Sequence, residues 1–246
     1  MEWRSSSSKI EQFYCMKRVE AVKADEQIVP CDYLILATGV KPNTSLAKDA
    51  GILVGKYEGI IVNDKMETRI GDIYAAGDYV KIRNFITGEN VSIQLATTAY
   101  REGEVAGENA AGENRRIPKM ISNVCAKVFD LEPASVGLTL QDTRRNGIEA
   151  YQSFAENMDK VEYFPGGKKI WISLLFNKQN KLIGAQFAGE RAATWGNFAA
   201  LAVIEGLNVE ELANFDTSYS PSVENFWTGI TTAARNLIKM RKGKKT

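Results

Sequence analysis

The first half of the chain contains two short apolar runs, and each of them stops at a glycine. Residues 33–37 are followed by a turn at Gly39, and residues 72–76 are followed by one at Gly77. Runs of this length between turn signals predict strands that are buried on both faces. Because ligands in open α/β sheets lie beyond the carboxyl ends of strands, both turns are candidate ligand contacts. The carboxylate of Asp78 could there accept hydrogen bonds from sugar-like hydroxyls.

A helix is predicted over residues 96–111, where small side chains recur at helical spacing. Such residues let a helix axis approach a sheet or a ligand closely, and the first N–H groups of the helix could point at a carbonyl or an anion. The small-residue stripe consists of Ala96, Ala99, Gly103, Ala106, Gly107 and Ala110. A shorter helix is predicted over residues 45–49.

From residue 119 onward, apolar and polar positions alternate. Antiparallel strands are predicted over residues 147–154, 168–176 and 181–189, with a hairpin turn between the last two. Helices are predicted from Thr139 to before Gly147, over residues 192–205, from Asn208, and over about residues 223–240. The patterns predict an α/β unit up to about residue 112 and an α+β domain after it.

The composition of the 246-residue chain is that of a globular protein, with 44% hydrophobic and 25% charged residues. Its 31 Lys and Arg nearly balance 30 Asp and Glu, which gives no reason to expect a nucleic acid or a membrane as a partner. No apolar run approaches the ~20 residues of a membrane span, and the N-terminus lacks a signal-peptide core. A cytoplasmic location is therefore predicted, with a flexible leader over residues 1–8 and a solvated basic tail over residues 239–245.

The chain contains no histidine. This excludes Ser-His-Asp and Cys-His catalysis, histidine-ligated zinc and an imidazole proton shuttle within it. Its three cysteines, Cys15, Cys31 and Cys125, form neither a CxxC pair nor a disulfide framework. No metal site is predicted, and any chemistry must come from a cofactor, a partner or residues that the chain lacks.

Four motifs follow one another in a single order along the first half of the chain. They are ATGVKPNTSLAKDAGI at residues 37–52, GIIVNDKMET at residues 59–68, DIYAAGD at residues 72–78, and LATTA with VAGENAAG at residues 95–112. Together they closely resemble the FAD- and NAD(P)-dependent pyridine nucleotide–disulfide oxidoreductases. The branch they resemble contains coenzyme A-disulfide reductase, NADH oxidase and NAD(P)H sulfur oxidoreductase, and segments between residues 128 and 221 are similar to its dimerisation domain.

The resemblance implies a partial FAD/NAD(P)-binding Rossmann-like unit followed by an α+β dimerisation domain with an antiparallel sheet. Residues 1–38 match a remnant of the NAD(P)-binding domain, residues 39–112 the second half of the FAD-binding domain, and residues 113–246 the dimerisation domain. FAD and NAD(P)H are the implied cofactors of the complete protein. The implied cofactor contacts are Thr38 and Gly39 at the domain crossover, Ala76, Gly77 and Asp78 at the second flavin fingerprint, whose aspartate bonds the ribityl chain, and Leu95, Ala96 and Thr97 alongside the flavin ring.

Two tyrosines carry the implied catalytic role. Tyr163 and Tyr219 match tyrosines that reach across a homodimer into the partner's active site, where a phenol could donate a proton or a hydrogen bond to a leaving thiolate. The alternative is that both only pack in the interface. Coenzyme A-disulfide reductases place a basic residue where this chain has Trp227, and can place a histidine where it has Tyr100. These departures leave sulfur, polysulfide or oxygen open as the substrate.

Parts of such an enzyme are absent from this sequence. It contains no GxGxxG, so the first FAD fingerprint and the NAD(P) fingerprint are both missing. None of its cysteines stands in the context of the family's redox cysteine. The chain is therefore interpreted as the C-terminal portion of an enzyme in which NAD(P)H reduces FAD and FAD reduces a disulfide, a persulfide or polysulfide, or oxygen. It is predicted to be catalytically incomplete alone; the alternative is a non-catalytic dimerisation and half-cofactor-binding module.

Overall fold

The computed structural model describes residues 10–55 and 58–243. The chain divides into two compact units, Met1–Lys41 and Pro42–Thr246. The predicted leader lies outside the described residues, as does the end of the predicted basic tail. The domain boundaries implied by the family resemblance stay predictions.

The first unit is a three-stranded antiparallel sheet in the order β1 (Ile10–Cys15), β2 (Val19–Ala24), β3 (Gln27–Pro30). The apolar run over residues 33–37 follows it and forms no strand, and Tyr33 is 86% exposed. The prediction of a strand buried on both faces is wrong here. No strand in the described ranges pairs with this run, so its backbone has no ladder to join, and apolar character alone does not create one.

The second unit begins with a small α/β region that we call the α2 region. Its elements are α1 (Ser45–Asp49), β4 (Ile60–Ile61), β5 (Val80–Arg83), β6 (Asn90–Val91) and α2 (Ala96–Ala110). Strands β4 and β5 pair in parallel, and β6 pairs antiparallel with β5. The two helices lie where the sequence predicts them, and the core beneath them is built around Met66, Val80 and Val105.

One expectation for the α2 region, the buried strand over residues 72–76, is wrong. Residues 72–76 make only an isolated bridge, between Tyr74 and Glu67, because a positive φ at Asp72 and the turn at Gly77 leave too short a run to join a sheet. On α2, the small-residue stripe is exposed or half-buried. The buried face carries Thr98, Glu102, Val105 and Asn109 instead.

The rest of the second unit is built on a five-stranded antiparallel sheet in the order β7-β8-β11-β10-β9. The strands are β7 (Asn123–Cys125), β8 (Pro133–Gly137), β9 (Ala150–Met158), β10 (Lys169–Asn177) and β11 (Leu182–Gly189). Strands β9, β10 and β11 confirm the three antiparallel strands that the alternation of apolar and polar residues predicts. On β10, Ile170, Ile172 and Leu174 are buried at alternate positions and form one face of the core.

Helices cover that face of the sheet. They are α4 (Ala192–Glu205), α5 (Val209–Asn214) and α6 (Gly229–Gly243), whereas α3 (Leu140–Arg145) packs through Leu140 with Leu175 of the opposite face. Helix α4 packs on β8 and β11, and α6 packs on β9 and β10. Thr139 caps α3 and Asn208 caps α5, as predicted from the sequence; both form capping boxes, of which only the one at Asn208 is predicted from residue spacing.

Helix α6 begins six residues later than the predicted start near residue 223. Thr228 supplies the start, because its hydroxyl accepts a hydrogen bond from the backbone N–H of Thr231 at 3.3 Å. A Cβ at Gly229 would lie 2.3 Å from Ile172 Cδ1, so glycine allows the helix to start directly against the sheet.

The described part of the chain has no helix that is both long and apolar enough to cross a bilayer. Within the same ranges, no three His, Cys, Asp or Glu side chains are grouped so that they could hold a metal ion. Cys15, Cys31 and Cys125 are free thiols.

Candidate functional site

The turn at Gly77 and Asp78 is held by three hydrogen bonds that leave the Asp78 side chain exposed. The Gly77 N–H donates to Oε2 of Glu102 at 2.7 Å, and the Gly77 carbonyl accepts from Val80 N–H at 3.0 Å. The Asp78 carbonyl accepts from the Ser92 hydroxyl at 3.3 Å. Gly77 has a φ of +93°, which a side chain would strain. The backbone is thus fixed while the carboxylate faces solvent.

The turn lies against the N-terminal half of α2. A Cβ at Gly77 would be 4.0 Å from the Cβ of Ala99, and Glu102 follows one turn later. No side chain caps α2 at Leu95. Among the described residues, no group accepts a hydrogen bond from the exposed backbone N–H groups of Ala96 and Thr97. The helix therefore presents free donors and the positive end of its dipole beside the Asp78 turn.

Glu102 is a member of this group that the sequence analysis missed. It is 2% exposed, and burial raises the pKa of its carboxyl to about 7, with a further rise from the charge of Asp78 and an opposing effect of the Gly77 N–H. The spacing of positions 98, 102, 105 and 109 is that of one helix face, and this periodicity could have placed Glu102 in the core.

The structure brings Ala76, Gly77, Asp78, Leu95, Ala96 and Thr97 to one region of the second unit. Thr38 and Gly39 lie in the first unit, where both are exposed and Gly39 has a φ of +87°. The roles of all eight as cofactor contacts stay predictions.

The two predicted catalytic tyrosines form a second group. Tyr163 lies between β9 and β10 and is 77% exposed, and Tyr219 lies between α5 and α6 and is 49% exposed. A hydrogen bond with the Tyr163 hydroxyl raises the pKa of Tyr219, with smaller effects of burial and of the charge on Tyr163. Tyr219 also packs edge-on against Phe226, with ring centroids 5.7 Å apart. None of the polar contacts in the described ranges joins this pair to the Asp78 turn.

Trp227 continues the aromatic cluster from Phe226. The Trp227 ring carries the guanidinium of Arg235 at 3.4 Å from its centroid, and Arg235 Nε donates to the carbonyl of Ala213 at 2.9 Å. Trp227, which stands where the coenzyme A-disulfide reductases have a basic residue, therefore contacts a cation, Arg235 of α6. Tyr100, the other departure, is exposed on α2.

Two family descriptions match the chain. "Pyridine nucleotide-disulphide oxidoreductase" matches residues 3–103, and "Pyridine nucleotide-disulphide oxidoreductase, dimerisation domain" matches residues 124–229. The two matches lie in the order that the sequence motifs predict.

The chain is also similar to individual proteins. An NADH oxidase of Methanocaldococcus jannaschii is 37% identical over 95% of this chain and 52% of its own length. A CoA-dependent NAD(P)H sulfur oxidoreductase of Pyrococcus furiosus is 34% identical over 90% of this chain and 50% of its own length. The solved structure of a NAD-dependent persulfide reductase from A. fulgidus matches with a TM-score of 0.89 at 30% identity, over 96% of this chain and 45% of that one. The chain spans about half the length of the curated relatives it matches.

Proposed function

Because the chain belongs to the pyridine nucleotide-disulphide oxidoreductase family, we propose that it supplies the second half of a flavin site and the dimerisation domain of an NAD(P)H oxidoreductase. The observation that carries this proposal is the pairing of an exposed Asp78 carboxylate with the uncapped start of α2. The substrate class is a disulfide, a persulfide or polysulfide, or oxygen, by similarity to the named relatives.

The residues at the Asp78 turn fit the ribityl and ring parts of FAD. A carboxylate accepts hydrogen bonds from ribityl hydroxyls, and the free N–H groups of Ala96 and Thr97 suit a carbonyl of the flavin ring. Gly77 carries no side chain that would hinder a ligand at the turn. When bound, FAD would supply hydride acceptance from NAD(P)H and electron transfer to the substrate. The sequence holds no glycine-rich diphosphate cradle, so this half contributes little to the diphosphate.

We assign the tyrosine pair a role as proton and hydrogen-bond donors. A phenol is protonated at neutral pH and donates a hydrogen bond rather than acting as a base. Because the interaction that raises the pKa of Tyr219 stabilises its protonated form, the Tyr219 hydroxyl would donate to Tyr163 and hold it in place, which leaves the Tyr163 hydroxyl to donate to the reacting group. In a homodimer formed through the dimerisation domain, the exposed pair would face the reacting group of the second copy.

A second candidate is a module that dimerises and contacts flavin without activity of its own. It is favoured by the absence of GxGxxG and of a cysteine in the family's redox context. Under this candidate the 246-residue chain binds flavin but does not oxidise NAD(P)H. The chain is mixed with FAD, NADH, polysulfide and the N-terminal half of a relative such as the Pyrococcus furiosus sulfur oxidoreductase. Only the first candidate predicts NADH oxidation in that mixture, and neither predicts it for the chain alone.

The flavin contact is tested with riboflavin, which contains the ring and ribityl chain but no diphosphate. Binding is followed by the quenching of flavin fluorescence, and we expect riboflavin and FAD to bind with similar, weak affinities. Asp78→Asn should weaken the binding of both about tenfold, because a hydrogen bond to a charged group is lost. Asp130→Asn, at an exposed aspartate elsewhere, is the matched control and should change neither. Absence of riboflavin binding, or equal binding by the Asp78 variant, would overturn the proposal.

A further inference from the structure

Glu102 is a buried glutamate whose carboxyl group makes a hydrogen bond to the Asp78 turn. It lies in the middle of α2, and its Oε2 accepts the Gly77 N–H at 2.7 Å. Its neighbours on the buried helix face are uncharged, with Thr98 and Val105 on either side. A carboxyl is costly to bury, and a hydrogen bond to a backbone N–H recovers part of that cost.

The helix that carries Glu102 is itself anchored. The side chain of Asn109 donates to the carbonyls of Lys65 and Arg115 at 2.9 and 2.8 Å, and it accepts from the Arg115 N–H at 2.7 Å. Asn109 and Glu102 are two turns apart on the same buried face of α2. Glu102 therefore holds the turn from a fixed element.

The bond to Glu102 determines what the turn presents to a ligand. Since the Gly77 N–H is occupied, the next backbone N–H in the chain is that of Asp78, and it donates to no group among the described residues. The Asp78 carboxylate is exposed as well. A free donor and a free acceptor on one residue suit a polyhydroxyl chain.

We propose that Glu102 is a positioning residue of the flavin site: by holding the Gly77 N–H, it orients the Asp78 N–H and carboxylate toward the ribityl chain. This inference rests on the proposed flavin contact. The ionised carboxyl is the stronger acceptor, and Asp78 is the charged group that acts on it from the packed turn. Because burial raises the pKa of Glu102 to about 7, the strength of this bond changes near neutral pH.

The first test compares two substitutions of Glu102 with a packing control. Glu102→Met removes the acceptor at similar volume and should weaken riboflavin binding about tenfold. Glu102→Gln keeps a neutral carbonyl acceptor, like the protonated glutamic acid, so it should bind about threefold more weakly than the wild type at pH 8 and equally at pH 6. Val105→Ala disturbs the same buried face without touching the turn and should leave binding unchanged even where stability falls. Equal binding by the methionine and control variants would overturn the inference.

Two further readouts exclude a merely structural role. In a double-mutant cycle, Glu102→Met and Asp78→Asn should be non-additive for riboflavin affinity, because Glu102 acts through Asp78.

The second readout is the pH dependence of riboflavin affinity. The affinity of the wild type should fall about threefold from pH 8 to pH 6 as Glu102 gains a proton, while the affinity of Glu102→Gln should not change with pH. Additive effects, or a parallel pH profile in the glutamine variant, would contradict the inference. If the wild type fails to bind riboflavin at all, the proposed function itself fails, which is a different result.

Discussion

The α2 region and the five-stranded sheet of the second unit are stabilised in different ways. Strands β9, β10 and β11 are eight or nine residues long, and Leu174, Leu175 and Phe176 on β10 are fully buried. Strands β4, β5 and β6 are two to four residues long, and polar side chains on α2 tie the loops to the helix. Apolar packing defines the sheet, whereas buried hydrogen bonds define the α2 region.

This difference agrees with where the proposed flavin contact and the dimerisation domain lie. A sheet whose faces interdigitate tolerates little movement and makes a stable platform for dimerisation. Loops held by a few hydrogen bonds can present backbone donors and a carboxylate to a ligand, the role proposed for the Asp78 turn. The contrast predicts that added side-chain volume lowers stability most in the sheet. In the α2 region, loss of a hydrogen bond or a change of pH should have the larger effect.

The largest expected effect is a steric one in the sheet. A Cβ at Gly184 on β11 would lie 1.9 Å from the carbonyl oxygen of Leu138, which belongs to the backbone and cannot move aside. Gly184→Ala should therefore lower the free energy of unfolding by about 3 kcal/mol or more, as overpacking in a core does. Urea unfolding followed by circular dichroism measures the change.

The matched control is the same substitution in the α2 region. Gly103 lies on the exposed face of α2, and a Cβ there would meet nothing within 4 Å. Gly103→Ala should raise the stability by about 0.5–1 kcal/mol, since alanine favours a helix over glycine. If the two substitutions have equal effects, the two regions do not differ as argued.

The next effect belongs to the α2 region and concerns pH. The carboxyl of Glu102 has a pKa of about 7 in the folded chain against 4.5 as its ordinary value, so between these values the folded state binds more protons than the unfolded state. Stability from this group is therefore complete below pH 4.5 and is lost as the pH rises to about 7. The loss should be on the order of 2 kcal/mol.

Urea unfolding at several pH values between 5 and 8 tests this slope. Glu102→Gln should flatten it, because the amide does not titrate. Glu113→Gln, at an exposed glutamate just beyond α2, should leave the slope as it is in the wild type. A slope that survives in the Glu102 variant assigns the titration to another group.

The fold could be predicted from sequence where an element's partners are its chain neighbours. The alternation of β9 to β11 and the capping boxes at Thr139 and Asn208 are local signals, and all appear in the structure. The apolar run over residues 33–37 was predicted to be a buried strand and is exposed, because a ladder needs a second strand that local composition does not specify. The late start of α6 depends on Thr228 and on the sheet below it, which is tertiary information.

The candidate site was predicted by resemblance rather than by local chemistry. The motif around Asp78 indicated the turn, and the structure adds its exposure and its hydrogen bonds. Glu102 carries no motif of its own, and only the spacing of positions 98, 102, 105 and 109 distinguishes it from the exposed charged residues of α2. The interaction by which Tyr163 raises the pKa of Tyr219 joins residues far apart in the sequence, and no local pattern encodes it.

The smallest expected effect is a titration in the sheet half of the molecule, and it sharpens the comparison. The pKa of Tyr219 is raised, as that of Glu102 is, but the tyrosine pair is exposed and the first cause is the interaction with Tyr163 rather than burial. Tyr163→Phe removes that partner, so the pKa of Tyr219 should move down toward its ordinary value.

The titration of Tyr219 is followed by phenolate absorbance. Subtracting the curve of Tyr219→Phe from that of the wild type gives the Tyr219 titration with Tyr163 present. Subtracting the curve of the double variant from that of Tyr163→Phe gives it with Tyr163 absent. Tyr79→Phe, at an exposed tyrosine of the α2 region, is the control and should leave the Tyr219 titration in place. An unchanged Tyr219 titration in the Tyr163 variant would show that the two hydroxyls act independently. In that case Tyr219 would not hold Tyr163 in place, and the alternative that both tyrosines only pack in the interface would be favoured.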